Sequence, residues 1–356
     1  MSEEIMRLTS AAEILSGWYR AGERALPWRE SPTPYHVWLS EIMLQQTRIE
    51  AVIPYYERFI AELPDVSALA AVEDEKLMKL WEGLGYYSRA RNLKKAAVAM
   101  MAQYGGELPR TAKELRKLPG IGPYTAGAVA SIAFLEPEPA VDGNVLRVVS
   151  RLLADPSDIM LTPTRERVTE LLRQTYPEAG EGCRVLTQAW MELGEMVCIP
   201  NGTPHCEDCP VRALCLAHAA GSEEEYPVRS AKKPRRIEQR TVLLLLCGDR
   251  FAVRRRPESG LLAGLWEFPS LDGEVSEEEV RAHLGDLGIE AGMITPTPPA
   301  KHIFTHIEWH MSGYTVDIPT IPEAGLTWVT AEEWVQTYAA PTAFKAFTRL
   351  VLSREI

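Results

Sequence analysis

Residues 118–134 read LPGIGPYTAGAVASIAF, and after a short connection residues 141–144 read VDGN. A helix is predicted to run into Leu118, turn through Pro119-Gly120-Ile121-Gly122 and restart at Pro123. Thr111 and Glu114 have the spacing of a capping box for the first of these helices. Gly120 and Gly122 supply the backbone freedom that a tight turn needs, and Pro123 suits the first position of the helix that follows. A glycine-flanked turn that opens a helix aims unpaired N–H groups outward with the helix dipole behind them. That makes an anion site, and phosphate is the obvious anion. The helix from Tyr124 to Phe134 then delivers Asp142 on the loop beyond it. A phosphate anchor at fixed separation from a carboxylate is a layout for chemistry on nucleic acid, although a lone GxG turn between helices is more often an ordinary hairpin.

The 356 residues carry a formal net charge of −11. This excludes a chain coated in basic surface for bulk nucleic-acid affinity. Binding must come from local patches, such as Arg89, Arg91, Lys94 and Lys95, together with backbone amides. The length predicts two domains. No stretch is long and apolar enough to span a bilayer, and the N-terminus MSEEIMRLTS lacks a signal-peptide pattern, so a cytoplasmic protein without a membrane partner is expected. Four of the six cysteines crowd together, Cys198, Cys206, Cys209 and Cys215, with the spacing C-x7-C-x2-C-x5-C. Four thiolates in so short a segment satisfy either zinc or a [4Fe–4S] cluster, and they point to a reducing compartment. Cys183 and Cys247 fall outside the pattern and read as ordinary thiols.

Upstream of the hairpin, an amphipathic helix is predicted from Ser10 to about Arg20, capped by Thr9 or Ser10. Pro27, Pro32 and Pro34 are expected to keep the next segment extended, with Trp28 and Arg29 on a loop. The helix that follows carries Trp38, Glu41, Leu44 and Gln45 on neighbouring faces. Glu41 stands among Trp38, Leu39, Ile42 and Met43; if that face is buried, desolvation raises its pKa and keeps a proton available near neutrality. In residues 79–100, KLWEGLGYYSRARNLKKAAVAM, Gly83 and Gly85 break a helix, and Tyr86 and Tyr87 interleave with basic residues. Such a surface suits stacking on bases and holding phosphates, or is a core tyrosine pair beside a solvated helix. Downstream, helices are predicted over Asn144 to Leu153, Thr164 to Thr175 and the segment ending at Cys198. Gln188 and Glu192 are four apart and share a face of the last one.

From Ala219 to Glu238 the chain turns polar and charged, which marks a linker. Its Lys232, Lys233, Arg235 and Arg236 either reach backbone phosphates or are solvated charge. Beyond it the pattern changes to strands at RTVLLLLC (240–247), FAVRRRP (251–257) and GLWEFP (264–269). A helix capped by Ser276 and Glu279 follows, then alternating residues 300–318, a strand in GLTWVT (325–330), and helices starting at Thr330 and Thr342. Mixed strands with flanking helices indicate an α+β domain.

LPGIGPYTAGAVAS followed by VDGNVLRV resembles the helix-hairpin-helix and catalytic loop of the endonuclease III superfamily of DNA glycosylases. End to end, the chain resembles the MutY branch, the adenine DNA glycosylases, and GLLAGLWEFP (260–269) resembles the Nudix fold. The implied architecture is multidomain. An all-α glycosylase domain spans 1–218 with an iron–sulfur loop at 198–215; a linker spans 219–238; an α+β Nudix-like lesion-recognition domain spans 239–356. The implied function is excision of adenine opposite 8-oxoguanine or guanine in double-stranded DNA, by a monomer with a [4Fe–4S] cluster on the four cysteines. The family's usual cysteine pattern is C-x6-C-x2-C-x5-C, so this chain has one extra residue in the first gap.

Residue by residue, the resemblance of SEIMLQQT implies Glu41 as the proton donor to the departing base, and that of VDGN implies Asp142 as the carboxylate that stabilises the sugar cation. Cleaving a purine C–N bond asks for both, as glycosidases use two carboxyls. Asp142 also suits the cap of the next helix, with Asn144 holding its geometry. Tyr124 stands where lyase members of the superfamily have a lysine that forms a Schiff base, which predicts a monofunctional enzyme. Trp28 and Arg29 are expected to wall the base pocket, with Gln188 and Glu192 facing it. Gln45 and Tyr86, with neighbours Gln46 and Tyr87, are expected to enter the duplex, and Gly120 and Gly122 to hold its phosphate. Phe304, Thr305 and His306 match the family's Phe-Ser-His lesion loop. The glutamate-rich Nudix signature is absent from VRAHLGDLGIEAG (280–292), so pyrophosphatase activity is not expected. A thymine mismatch glycosylase and a non-catalytic iron–sulfur module that binds DNA damage are the alternatives.

Overall fold

A computed structural model of the chain describes residues 2–231, 234–323 and 325–353. It divides into two compact units, one from Met1–Ala71 and Arg91–Ala231, the other from Val72–Ala90 and Lys232–Ile356.

The first unit is helical. Its opening helix runs over Glu3–Gly22 with Ser2 as cap, earlier than the predicted start near Ser10. Neither Thr9 nor Ser10 caps; both lie inside the helix, where the Thr9 hydroxyl bonds back to the Ile5 carbonyl at 2.8 Å. Pro27 begins a single helical turn, Pro27–Glu30, where an extended loop was expected. The fixed φ of proline suits a first helical position as well as an extended one. The hairpin turn forms where predicted, but its first helix is the single turn Ala112–Leu115 and stops short of Leu118. Thr111 caps Ala112–Leu115 through the Glu114 amide, while the Glu114 carboxylate turns to Lys117 at 2.7 Å rather than completing the box. Gly120 turns the chain at φ +76°, where a Cβ would also strike Asn92, and Gly122 caps Pro123–Ala133 without a side chain.

Pro34–Leu44 and Pro123–Ala133 are buried along almost their whole length. A second core forms where Gly143–Leu153 packs with Glu3–Gly22 and Glu181–Met196 around Leu15, Leu146, Val149 and Trp190. The contact is close: a Cβ on Gly194 would lie 2.7 Å from that of Asn144. No helix among the described residues is long and apolar enough to cross a membrane.

The second unit is built on a mixed sheet. Among the described residues its strand order is Trp266–Glu267, Arg250–Arg255, Arg236–Cys247, Ile307–Asp317, Ile294–Pro296. Arg236–Cys247 runs parallel to Ile307–Asp317, with Arg236 opposite Ile307 and Leu246 opposite Asp317. The other pairings are antiparallel, including the hairpin of Ala300–Ile303 with Ile307–Asp317. The leucine run has no polar alternation because both faces are covered: Val242, Leu244 and Leu246 enter one core, Leu243 and Leu245 the other. Ser276 and Thr330 each form complete capping boxes.

The grouping differs from a boundary at 218 in that residues 72–90 join the second unit. Lys79 Nζ reaches the Tyr338 carbonyl at 3.1 Å, and the Ala340 amide donates to Glu82 at 2.7 Å. Within the expected linker, the Val228 carbonyl accepts from the Ile159 amide at 3.1 Å and Ser230 bonds Asp158, so this stretch is laid onto the first unit. Arg235 Nε donates to the Phe304 carbonyl at 3.0 Å and Arg236 pairs with Glu238. Lys232 and Lys233 lie outside the described residues.

Candidate active site

Glu41 lies near the end of Pro34–Leu44, whose residues 37–43 are all buried, and is itself only 6 % exposed. Burial pushes its carboxyl up to about 7. The Asp142 charge adds to the rise, while the Tyr124 hydroxyl, donating to Oε2 at 2.6 Å, and Arg29 pull it back. Tyr124 is held in place by the first turn of Pro123–Ala133. Its hydroxyl meets Glu41, and its own pKa is raised well above the ordinary value by burial and by the two carboxylates, so it stays a donor.

Asp142 caps Gly143–Leu153. Its Oδ1 accepts the amides of Asn144 at 2.9 Å and Val145 at 2.8 Å. Burial raises its pKa, and these amides, with Arg147 and Asn144, oppose the rise. The Asn144 side-chain oxygen accepts from Arg147 Nη2 at 2.8 Å. Arg147 also donates to the Cys198 and Gly194 carbonyls, at 2.8 and 2.6 Å.

Glu41, Tyr124, Asp142 and Asn144 line one cavity of about 1070 Å³, whose walls include Trp28, Arg29, Gln45, Gln188 and Glu192. Trp28 stands edge-on to Tyr56 at 5.4 Å. Gln188 turns to the Arg184 carbonyl at 3.5 Å. Glu192 is gripped by Arg24, through both Nε and Nη2, and by Arg29 Nη2 at 2.9 Å. Burial pushes Glu192 up, but the two guanidiniums outweigh it and hold the carboxyl below its usual range. Arg24 carries no sequence signal; only the buried charge it meets reveals it. Gln45 and Gln46 separate in role. Gln45 Nε2 donates to Thr125 Oγ1 at 3.2 Å, whereas Gln46 is exposed and left-handed, at φ +58°. Of Gln45 and its neighbour Gln46, the exposed one is Gln46.

In the second unit, Tyr86 is 47 % exposed and Tyr87 is buried. The Tyr86 hydroxyl lies 3.3 Å from Thr305 Oγ1. Thr305 and His306 are exposed at the tip of the 304–306 loop. The Phe304 ring turns inward instead, against His302 at 4.5 Å and Trp309 at 4.9 Å, and anchors the loop.

Residues 39–178 match the helix-hairpin-helix superfamily of base excision DNA repair proteins, and residues 241–350 match the NUDIX domain. The human adenine DNA glycosylase is 34 % identical over 98 % of this chain and 75 % of its own length. That of Buchnera aphidicola subsp. Acyrthosiphon pisum is 30 % identical over 88 % of each. The chain belongs to the adenine DNA glycosylase family. It is therefore a base excision repair enzyme that hydrolyses the N-glycosyl bond of adenine in DNA. Its helical part is also similar to solved structures of a thermostable thymine-DNA glycosylase (TM-score 0.55, 26 % identity, 60 % of this chain and 98 % of that one). Another likeness is to a trapped endonuclease III–DNA covalent intermediate (TM-score 0.52, 26 % identity, 62 % and 99 %).

The glycosylase brings Cys198, Cys206, Cys209 and Cys215 to one small pocket lined by Val148, Leu152, Leu193 and Val197. Burial pushes the Cys206 and Cys209 thiols up to about 11, and the neighbouring cysteines add to the rise. Four cysteine side chains converging on one small pocket suit a bound cation that draws off their protons. Arg151 Nη1 donates to Cys198 Sγ at 3.2 Å. His218 Nδ1 and Glu223 Oε1, 2.5 Å apart, lie beside Cys206. The long first gap is spanned by a backbone bond from the His205 amide to the Val197 carbonyl at 2.9 Å.

Proposed function

We propose that the glycosylase removes adenine paired with 8-oxoguanine or guanine from double-stranded DNA, and that it leaves the abasic strand intact. The observation that carries this reading is a buried carboxyl, Glu41, poised near 7 on the same cavity as Asp142. Adenine flipped into that cavity stacks against Trp28, with Arg29 and Glu192 facing its edge. Glu41 gives its proton to N7. The C1′–N9 bond breaks, its electron pair leaves with the purine, and Asp142 stabilises the sugar cation until water adds at C1′. Tyr124 offers no amine for a Schiff base, so the chemistry ends at the abasic sugar. Gly120 and Gly122 present amides to a phosphate. Gln46 and Tyr86 face the duplex, and Thr305 and His306 meet the base opposite adenine. The threonine keeps the hydroxyl of the family's Phe-Ser-His loop.

The four cysteines would hold a [4Fe–4S] cluster that clamps residues 198–215 as a structural element, with no part in the bond cleavage. The test is a labelled duplex with adenine opposite 8-oxoguanine, incubated without added metal and then treated with alkali. Cleavage at that adenine only after alkali supports the reading. Cleavage before alkali denies the monofunctional assignment, and attack at thymine in a mismatch would favour the other substrate.

A further inference from the structure

Arg89 is 7 % exposed and stands in the first turn of Ser88–Gln103. Both facts are unfavourable for a guanidinium, which loses water and meets the positive end of the helix dipole. Its contacts show what that cost maintains. Nη2 donates to the carbonyls of Leu84 and Gly85, each at 3.1 Å. The Gly85 carbonyl also accepts Trp81 Nε1 at 3.0 Å. The guanidinium lies 5.4 Å from the Trp81 ring centre and 5.5 Å from that of Tyr86. Arg89 thus ties down both carbonyls that precede Tyr86, and Trp81 holds the second of them as well.

They need to be. Gly83 and Gly85 have positive φ, which glycine tolerates, but Tyr86 is at φ +47°. A tyrosine in the left-handed region is strained, and such a conformation persists only where its surroundings over-determine it. The result is a half-exposed ring whose hydroxyl reaches Thr305.

We propose that Arg89 is a positioning residue for Tyr86: it locks the 83–86 loop in the strained form that presents the tyrosine ring to the duplex. Arg89 touches no reacting atom and acts only through Tyr86, so the inference rests on the reading that Tyr86 faces DNA.

The test is a double-mutant cycle on the full chain, with Tyr86→Ala, Arg89→Met and the pair combined. The probe is a duplex bearing a non-hydrolysable adenine analogue opposite 8-oxoguanine. Arg89→Met is expected to weaken binding about tenfold, and the pair to bind no more weakly than Tyr86→Ala alone, the mark of two residues acting as one unit. Backbone amide exchange across 83–88 is expected to speed up in Arg89→Met while Pro123–Ala133 is unchanged, and Arg89→Lys is expected to recover part of both. Multiplicative losses in the pair, or wild-type binding and exchange in Arg89→Met, overturn the proposal and leave the Tyr86 reading standing. Wild-type binding by Tyr86→Ala removes that reading, and the proposal with it. If Arg89→Met fails to fold, Arg89→Lys carries the cycle alone, with a smaller loss that must again vanish in the Tyr86→Ala background.

Discussion

The Tyr124 hydroxyl donates to Oε2 of Glu41 at 2.6 Å. With Oε2 occupied as an acceptor, a proton on Glu41 resides on Oε1. The contact also opposes the effect of burial, because a hydrogen bond to the ionised form favours ionisation. Tyr124→Phe is therefore expected to raise the Glu41 pKa and to move the alkaline limb of the excision rate upward by about one pH unit. Single-turnover rates between pH 5.5 and 9 measure it. A limb that stays in place or moves down would mean that the contact does not tune the acid.

In the unaltered enzyme the direction is equally definite. As the proposed acid Glu41 would act when protonated, and burial pushes its carboxyl up to about 7, so the single-turnover rate is expected to hold below neutrality and to fall about tenfold per pH unit well above it. A rate that rises across this range would assign Glu41 as a base instead.

The same shift links to stability. The folded-state value, about 7, lies above the ordinary 4.5, so the native state holds the proton more tightly than the unfolded chain. Stability is then lost as pH rises through that window. Glu41→Gln abolishes this loss while keeping an acceptor for Tyr124. It is expected to be more stable than the parent at pH 8 by about 1–3 kcal/mol, with a smaller gain at pH 6. Urea unfolding at the two values checks the sign; an equal or lower stability at pH 8 would mean that the carboxyl is better solvated than its 6 % exposure indicates.

Much of this site was legible before the structure. The Gly120–Gly122 turn, the Asp142 cap and the apolar neighbours of Glu41 follow from local chemistry, and local chemistry survives folding. What was hidden depends on partners far along the chain. Arg24 and Glu192 are separated by 168 positions, and no spacing rule links them. Gln45 and Gln46 are adjacent and identical, and only the left-handed turn at Gln46 decides which side chain is exposed. The first helix was predicted too short because Thr9 and Ser10 look like caps, while Ser2 fills that place. In the second unit, Trp266–Glu267 forms only a two-residue strand, and residues 72–90 join it through backbone and side-chain bonds that no composition shift announces.

The cysteine pocket has its own test. Cys206→Ser removes one of four side chains that converge on it. It is expected to lower bound iron, the melting temperature and affinity for duplex DNA together, because the 198–215 loop then lacks its clamp. Iron content by colorimetry, thermal unfolding and DNA binding are measured on the same preparation. Full DNA affinity with an unchanged melting temperature would show that the loop folds without it.

The pairing of Glu41 with Asp142 at one sugar–purine bond is tested most directly by single-turnover adenine release from an A:8-oxoguanine duplex, comparing the parent with Glu41→Gln and Asp142→Asn. Each substitution keeps size and hydrogen-bonding reach while removing the acid or the charge. Each is expected to slow release by at least about 10³-fold with duplex binding retained, in line with loss of a group used only in the transition state. Release near the parent rate by either variant would contradict the two-carboxylate account.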